Sequence, residues 1–371
     1  MRNTSAPLAP KLHCPVASQC GGCPRIALHR DEQRRQYESQ VEQLLDDVGL
    51  HELCTQLTFH PAAAHAGYRN RIRLRISDDG KVGFFNAQKQ ASCAVLSESL
   101  RRSLEGLSTT LEALGAPLSN LAHLELRQED LDRHASVFFT HRPGCRVTAS
   151  DRQLLTAALV DTLVGFDDTP GPDQRYPLVH DLYARVPLGA FMQVNSLVNQ
   201  ALIECIVGQA QARHLTSVWD LYCGSGNFLL PLLAQGLKGT GVERDLVAIA
   251  SLRRAADEQG LSGTFVASDA LDWVQDQVHQ GATPPDLLIC DPPRAGLKEA
   301  LVPAAQVGAR FIALCSCNPR SLARDLAALK EHGYVCQSLT LFDMFEHTAQ
   351  VEVLAWLEQG APSTEEEVSD F

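Results

Sequence analysis

The run Trp219-Asp220-Leu221-Tyr222-Cys223-Gly224-Ser225-Gly226-Asn227-Phe228 constrains the fold more than any other stretch of the chain. It reads as a strand, then a tight turn where two glycines let the backbone approach a ligand, then a helix whose first N–H groups face that turn. From about residue 181 onward the rhythm around it is strand, helix, strand, helix. Candidate strands are Ser217 to Tyr222, Gly239 to Val242, Gly263 to Ala267, Leu287 to Cys290, Phe311 to Cys315 and Val351 to Trp356. Helical patterns separate most of them, which predicts an α/β fold with a parallel, doubly wound sheet.

The glycine loop suits a nucleoside cofactor. Roughly twenty residues on, Glu243 ends the next strand, where a carboxylate can accept both ribose hydroxyls, and Asp269 follows the third strand on the adenine side. Leu229 stands where a dinucleotide fingerprint has its third glycine, which leaves room for the smaller S-adenosylmethionine. Two further strand ends face the same crevice: Ile289-Cys290-Asp291-Pro292-Pro293-Arg294 carries an acid, and Leu314-Cys315-Ser316-Cys317-Asn318-Pro319 a thiol.

A chain of 371 residues exceeds what one hydrophobic core usually supports. Four segments are expected. Residues 1–57 hold a cysteine-bearing loop and a polar helix from about Arg30 to Leu50, with Tyr37, Val41, Leu44, Leu45 and Val48 on one side. Residues 58–180 form an α+β unit of hairpins, with a helical stretch from Ser150 to Val164, and residues 181–358 the α/β half. Residues 359–371, with Glu365, Glu366, Glu367 and Asp370, read as a disordered acidic tail. The amino terminus lacks the apolar core of a signal peptide and no run is long enough to span a membrane, so a cytoplasmic location is expected. In that reducing compartment the twelve cysteines are expected to serve as metal ligands, a nucleophile or buried apolar groups.

The net charge of -12 argues mildly against a polyanionic partner, but the charges are segregated. Arg69, Arg71, Arg73 and Arg75 alternate with Ile72, Leu74 and Ile76, so one strand face is a row of guanidinium groups without balancing acids in the strand. Such a row fits phosphate contacts as well as an ordinary solvated face.

Asp220-Leu221-Tyr222-Cys223-Gly224-x-Gly226-x-Phe228, Asp291-Pro292-Pro293-Arg294 and Ser316-Cys317-Asn318-Pro319 together resemble the RNA uracil-5-methyltransferases. So do Phe191-Met192-Gln193-Val194-Asn195 and Asp343-Met344-Phe345-Glu346-His347-Thr348, and the match runs in order from about residue 14 to 357. The resemblance implies a Rossmann-like catalytic half, an RNA-binding middle and S-adenosylmethionine as methyl donor. It matches Gln193, Tyr222, Asn227, Glu243 and Asp291 to positions at the cofactor or its neighbourhood, Cys317 to the nucleophile and Glu352 to the general base. Two residues depart from the family pattern, Glu346 where proline is usual and Gln350 where histidine is usual.

This chemistry needs a thiol and a base. Uracil C5 is too weak a nucleophile to take a methyl group directly, and a thiolate adding to C6 creates an enolate whose charge reaches C5. A desolvated carboxylate such as Glu352 then has the tunable basicity to remove the C5 proton. An isolated cysteine is more often a buried structural group. Cys315 and Cys317 share a strand face, and Cys317 is the nearer to the rim.

Cys14, Cys20 and Cys23 lie in one loop with Gly21 and Gly22, and the resemblance supplies Cys93 as a fourth ligand. Four thiolates suit tetrahedral zinc or a [4Fe-4S] cluster, and spacing does not separate them; the resemblance favours iron and sulfur, in an amino-terminal loop with a structural role. RNA is the expected partner of a monomeric enzyme, with no membrane partner. The chain begins almost at the cysteines, without room for the small β-barrel of some rRNA enzymes, and the tRNA enzymes generally lack the cluster. A uridine of 23S rRNA is therefore expected. A tRNA or other rRNA uridine is the alternative within the class. A non-catalytic iron-sulfur RNA-binding protein is the alternative outside it, and it would need neither Cys317 nor Glu352.

Overall fold

The computed structural model describes residues 12–84, 93–114, 118–128, 135–169 and 171–360. The acidic tail beyond residue 360 lies outside them. In chain order the strands are β1 (Leu57–His60), β2 (Arg71–Ile76), β3 (Val82–Gly83), β4 (Leu121–Arg127), β5 (Ala135–His141), β6 (Thr162–Phe166), β7 (Asp173–Pro177) and β8 (Tyr183–Pro187). There follow β9 (Ser217–Leu221), β10 (Lys238–Glu243), β11 (Thr264–Ala267), β12 (Leu287–Cys290), β13 (Phe311–Ser316), β14 (Tyr334–Phe342) and β15 (Glu352–Gln359).

Every residue of β12 and β13 is buried, as expected of parallel strands covered on both faces. They lie inside an eight-stranded sheet of order β1-β14-β15-β13-β12-β9-β10-β11. Helices Ser196–Ala212, Leu229–Ala234 and Leu246–Glu258 pack one face through residues such as Leu202, Leu230 and Leu252. Helices Arg30–Asp46, Ala270–His279 and Pro319–Glu331 pack the other through Tyr37, Val41, Val274 and Leu326. The chain winds outward from β9 in both directions, to β10 on one side and β12 on the other, which opens a crevice at their carboxyl ends.

The sheet departs from the all-parallel expectation at one side. β15 runs antiparallel between β13 and β14, and β14 and β1 are further strands that the periodicity did not reveal. β1 adds to this sheet, not to the middle region, and the Arg30–Asp46 helix is one of its covering layers. The helix of the amino-terminal segment and the strand that follows it thus both belong to the α/β half.

The second sheet has the order β3-β2-β4-β5-β6, with helices Glu98–Leu114 and Ala149–Ala158 over one face. The expected helix from Ser150 to Val164 ends at Ala158, because Asp161 turns the chain at φ 56° and the Thr162–Phe166 segment pairs with β5. β7 and β8 form a separate hairpin, and Arg185 of β8 is anchored on Glu258 of the Leu246–Glu258 helix at 2.7 Å. No helix among the described residues is long and apolar enough to cross a membrane.

Candidate active site

The cofactor side is built by the turn after β9. Tyr222 takes a left-handed conformation at φ 62°, followed by Gly224 at 52° and Gly226 at 89°. A Cβ on Gly226 would stand 2.5 Å from Leu252, so this glycine lets the loop lie against the next helix. Glu243, ending β10, accepts from the Gly224 N–H at 3.3 Å and the Asp245 N–H at 3.0 Å. Its carboxylate is thereby fixed at the strand end beside the loop. Asn227 is held by Asn199 of the Ser196–Ala212 helix, each amide donating to the other at 2.8 and 3.0 Å. Asp269 caps the Ala270–His279 helix, accepting from Leu271 N at 2.9 Å. Asp269 and Tyr222 are electrostatic neighbours.

The reacting side is set by β13 and β15. Ser316 pairs with Val353, so Cys317 and Glu352, the next residue on each strand, meet at the same end of the sheet. Cys317 is half-buried and Glu352 is almost wholly buried, 2% exposed. Burial raises Cys317, Glu352 and Asp291 pull it up further, and a hydrogen bond from Arg294 opposes them. Glu352 and Asp291 are both raised, first by burial, and Asp291 also lifts Glu352. A buried Glu352 beside a half-buried Asp291 favours sharing one proton between them. Asp220, fully buried in β9 and hydrogen-bonded by no side chain among the described residues, is the third acid of the group and is raised well above the carboxylate range, first by burial and then by Asp291.

Gln193 approaches from the loop after β8. Its carbonyl accepts from Asn70 Nδ2 at 3.2 Å and Tyr176 Oη at 3.3 Å, while its own Oε1 is buried without a hydrogen-bond partner among the described residues. A buried orphan acceptor of this kind fits an incoming N–H donor. Two residues before it, Phe191 is 67% exposed with the Arg71 guanidinium 5.3 Å from its ring centroid.

The guanidinium row differs from expectation in one respect. Arg73 and Arg75 are exposed, but Arg71 sits 3.8 Å from Glu125 of β4, which also holds the buried Arg127 at 2.6 Å. The balancing acid comes from the neighbouring strand, which a single-strand pattern does not reveal.

Cys14, Cys20, Cys23 and Cys93 line one small pocket with Val16, Ile26 and Val95. Cys23 is pushed up to about 11 by burial and by the other three thiols, with Arg69 opposing. A Cβ on Gly22 would come within 3.3 Å of Cys20 Sγ, so the glycine leaves that sulfur room. Thiols that raise one another this way fit a cation that takes them as thiolates.

Sequence reasoning did not single out three features. Asn199, beyond the Phe191–Asn195 run, carries no signal of its own, and Arg294 none past its place in the Asp291–Arg294 turn. The third is a buried cluster in which Glu346 pairs with Arg30 at 2.9 Å and His65 at 2.6 Å, and its carbonyl accepts from Tyr68 Oη at 2.8 Å. His347 beside it is satisfied at both ring nitrogens, by Gln33 Nε2 at 3.2 Å and the His65 carbonyl at 2.8 Å.

A glycine loop with a ribose-type acid beside a thiol and buried carboxyls at strand ends defines a nucleoside-cofactor enzyme of the methyltransferase fold. Residues 283–360 match the family model for tRNA (Uracil-5-)-methyltransferase. Over 362 residues the chain is 30% identical to the 23S rRNA (uracil(1939)-C(5))-methyltransferase RlmD of Shewanella sediminis, covering 93% of this chain and 81% of that one. The RlmD of Mannheimia succiniciproducens is likewise 30% identical over 370 residues, with the same coverage. The crystal structure of Pyrococcus abyssi tRNA (uracil-54, C5)-methyltransferase with S-adenosyl-L-homocysteine superposes with a TM-score of 0.69 over 91% of this chain and 85% of that one, at 23% identity, which establishes the shared fold. The chain belongs to the RNA uracil-5-methyltransferase family and is an S-adenosylmethionine-dependent enzyme of that activity.

Proposed function

We propose that this enzyme methylates C5 of a uridine in 23S rRNA, with Cys317 as nucleophile and Glu352 as base. The observation that carries the reading is the meeting of Cys317, Glu352 and Asp291 at one strand end beside the glycine loop. The RlmD relatives, whose names specify a 23S rRNA uridine, support the substrate. A monomer acting on RNA in the cytoplasm is the simplest setting.

S-adenosylmethionine supplies an electrophilic methyl group when bound. Glu243 would hold its ribose, and Tyr222, Asn227, Asp291 and Gln193 its remaining groups or the adjoining base edge. Cys317 adds to uracil C6, which makes C5 nucleophilic. After methylation Glu352 takes the C5 proton, and the C6–S bond breaks to return the thiolate. Asp291, by raising the Glu352 carboxyl, keeps it basic enough to take that proton.

Arg73 and Arg75 would contact phosphates from the face of the second sheet opposite its helices. The target base leaves its stack to reach Cys317, as catalysis on a base requires. The four cysteines would hold a [4Fe-4S] cluster that pins the amino-terminal loop, with no part in methyl transfer. Iron and sulfide analysis with visible absorbance tests that assignment, and stoichiometric zinc in their place would refute it.

The deciding experiment maps 5-methyluridine in total RNA of a deletion strain. The expected result is one missing 5-methyluridine in 23S rRNA, restored by the wild-type gene and not by Cys317→Ala. Loss from tRNA alone would reject the substrate, and rescue by Cys317→Ala would reject the nucleophile.

A further inference from the structure

The loop that delivers Gln193 is laid across the second sheet, on the face opposite the helices. Arg127 and Glu125 of β4 lie on that face, across from Arg71 and Arg73 of β2, while Leu126 and Leu124 point to the other side and enter the core. The loop meets β5, β4 and β2 in turn. At β5, a Cβ on Gly189 would stand 2.5 Å from the Phe138 ring, and Gly189 takes φ 86°, so glycine lets the chain lie on that ring. At β4, Arg127 donates through Nη1 to the Pro187 carbonyl at 3.2 Å and through Nη2 to the Ala190 carbonyl. At the start of β2, the Asn70 N–H donates to the Val194 carbonyl at 3.0 Å and Asn70 Nδ2 to that of Gln193 at 3.2 Å.

Stability alone does not account for Arg127. It is among the largest side chains the fold buries, 1% exposed, and its Nε donates to Glu125 at 2.6 Å. Glu125 is shared with Arg71 at 3.8 Å, so two guanidiniums divide one acid. A buried charge in such a place gains little over an apolar side chain of similar volume. What it adds is direction. Its planar donors reach two carbonyls of the loop at fixed angles, which an apolar contact would not impose. Gln128, the next residue, donates its N–H to the Asn70 carbonyl at 3.2 Å, so the clamp on Pro187 and Ala190 is tied to the clamp on Gln193 and Val194. Gln193 leaves this double clamp with its Oε1 buried and open to an incoming donor.

We propose that Arg127 is a positioning residue for the cofactor: from within the second sheet it sets the course of residues 187–193 so that Gln193 Oε1 faces S-adenosylmethionine. The proposal rests on Gln193 being a cofactor contact. It makes the sheet that carries Arg73 and Arg75 a support of the cofactor site, through a side chain that is itself closed off from solvent.

The test reads cofactor affinity in the full-length enzyme, without RNA, by calorimetric titration with S-adenosylhomocysteine. Arg127→Met should raise Kd by about tenfold. Arg127→Lys keeps the charge but not the fork, and should fall between Arg127→Met and wild type. In a Gln193→Ala background, itself weakened, Arg127→Met should add nothing further, because the guanidinium acts through Gln193. Wild-type affinity in Arg127→Met while Gln193→Ala is weakened, or a loss that adds in full to that of Gln193→Ala, would make Arg127 a mere brace and overturn the proposal. Wild-type affinity in Gln193→Ala would instead remove the Gln193 assignment, and the proposal with it. Thermal melting followed by circular dichroism reports whether each variant is folded. If Arg127→Met is not, Arg127→Met/Glu125→Gln leaves no uncompensated carboxylate and takes its place in the same comparison.

Discussion

Asn199 and Asn227 face each other as a reciprocal amide pair, donating at 2.8 and 3.0 Å, with Asn199 fully buried. The pair joins the glycine loop to the helix that begins three residues after Gln193. One N–H and one lone pair of Asn227 remain for the cofactor, and Asn199 decides which way they point. Asn199→Ala should therefore raise KM for S-adenosylmethionine by about tenfold, ~1.4 kcal/mol, while kcat changes little. Calorimetric titration with S-adenosylhomocysteine checks it; an unaltered Kd would show that Asn227 needs no such partner.

The α/β half was legible because its signals are local. Gly224, Gly226 and Glu243 carry their meaning within thirty residues, and continuous apolar runs such as Leu287–Cys290 mark buried parallel strands. What stayed hidden depends on partners far apart in sequence. β1 is a four-residue strand whose place is set only by β14, about 280 residues away. The antiparallel direction of β15 follows from its neighbours, not from its own pattern. Likewise Glu346, a departure from the family pattern, is explained only when Arg30 and His65 arrive from the other end of the chain.

Glu352→Gln separates the two halves of the reaction. Cys317 can still add to C6, and methylation of C5 needs no base, but the proton on C5 then has no acceptor. The variant should accumulate a methylated RNA–protein adduct that survives denaturing electrophoresis, with turnover down by about 10²–10⁴-fold. Cys317→Ala should form none. Normal turnover in Glu352→Gln would assign the base elsewhere.

The groups at the strand end also fix the sign of the pH dependence. Cys317 and Glu352 both have to be ionised to act, and burial raises both. The rate should climb as pH rises from acid through neutrality and level off only on the alkaline side. A single-turnover profile falling above neutral pH would contradict this arrangement.

Arg73 and Arg75 are exposed on the face opposite the Glu98–Leu114 helix, and neither belongs to the crevice. Replacing both with alanine should weaken RNA binding without affecting S-adenosylhomocysteine binding. The slope of log K against log salt should fall by about 1.4–1.8, the loss of two phosphate contacts. Filter binding at several salt concentrations measures it. An unchanged slope would place the RNA on another surface.

Asp343 offers a test on stability alone. Burial, with Glu346 nearby, raises its carboxyl to about 7 against the pull of Arg30, and its Oδ1 is buried without a partner among the described residues. The folded protein therefore holds a proton that the unfolded chain releases near pH 4. The stabilisation from this group is complete below that value, declines as pH rises from about 4 to about 7, and is gone above. Asp343→Asn is neutral at every pH and keeps a side-chain oxygen to accept from the Ala62 backbone, so it escapes the decline. At pH 8 the variant should be more stable than wild type by on the order of 2–4 kcal/mol, with the gap closing toward pH 4. Urea denaturation at both pH values measures this, and a gap that does not vary with pH would show that Asp343 ionises in the folded protein as readily as in the unfolded chain.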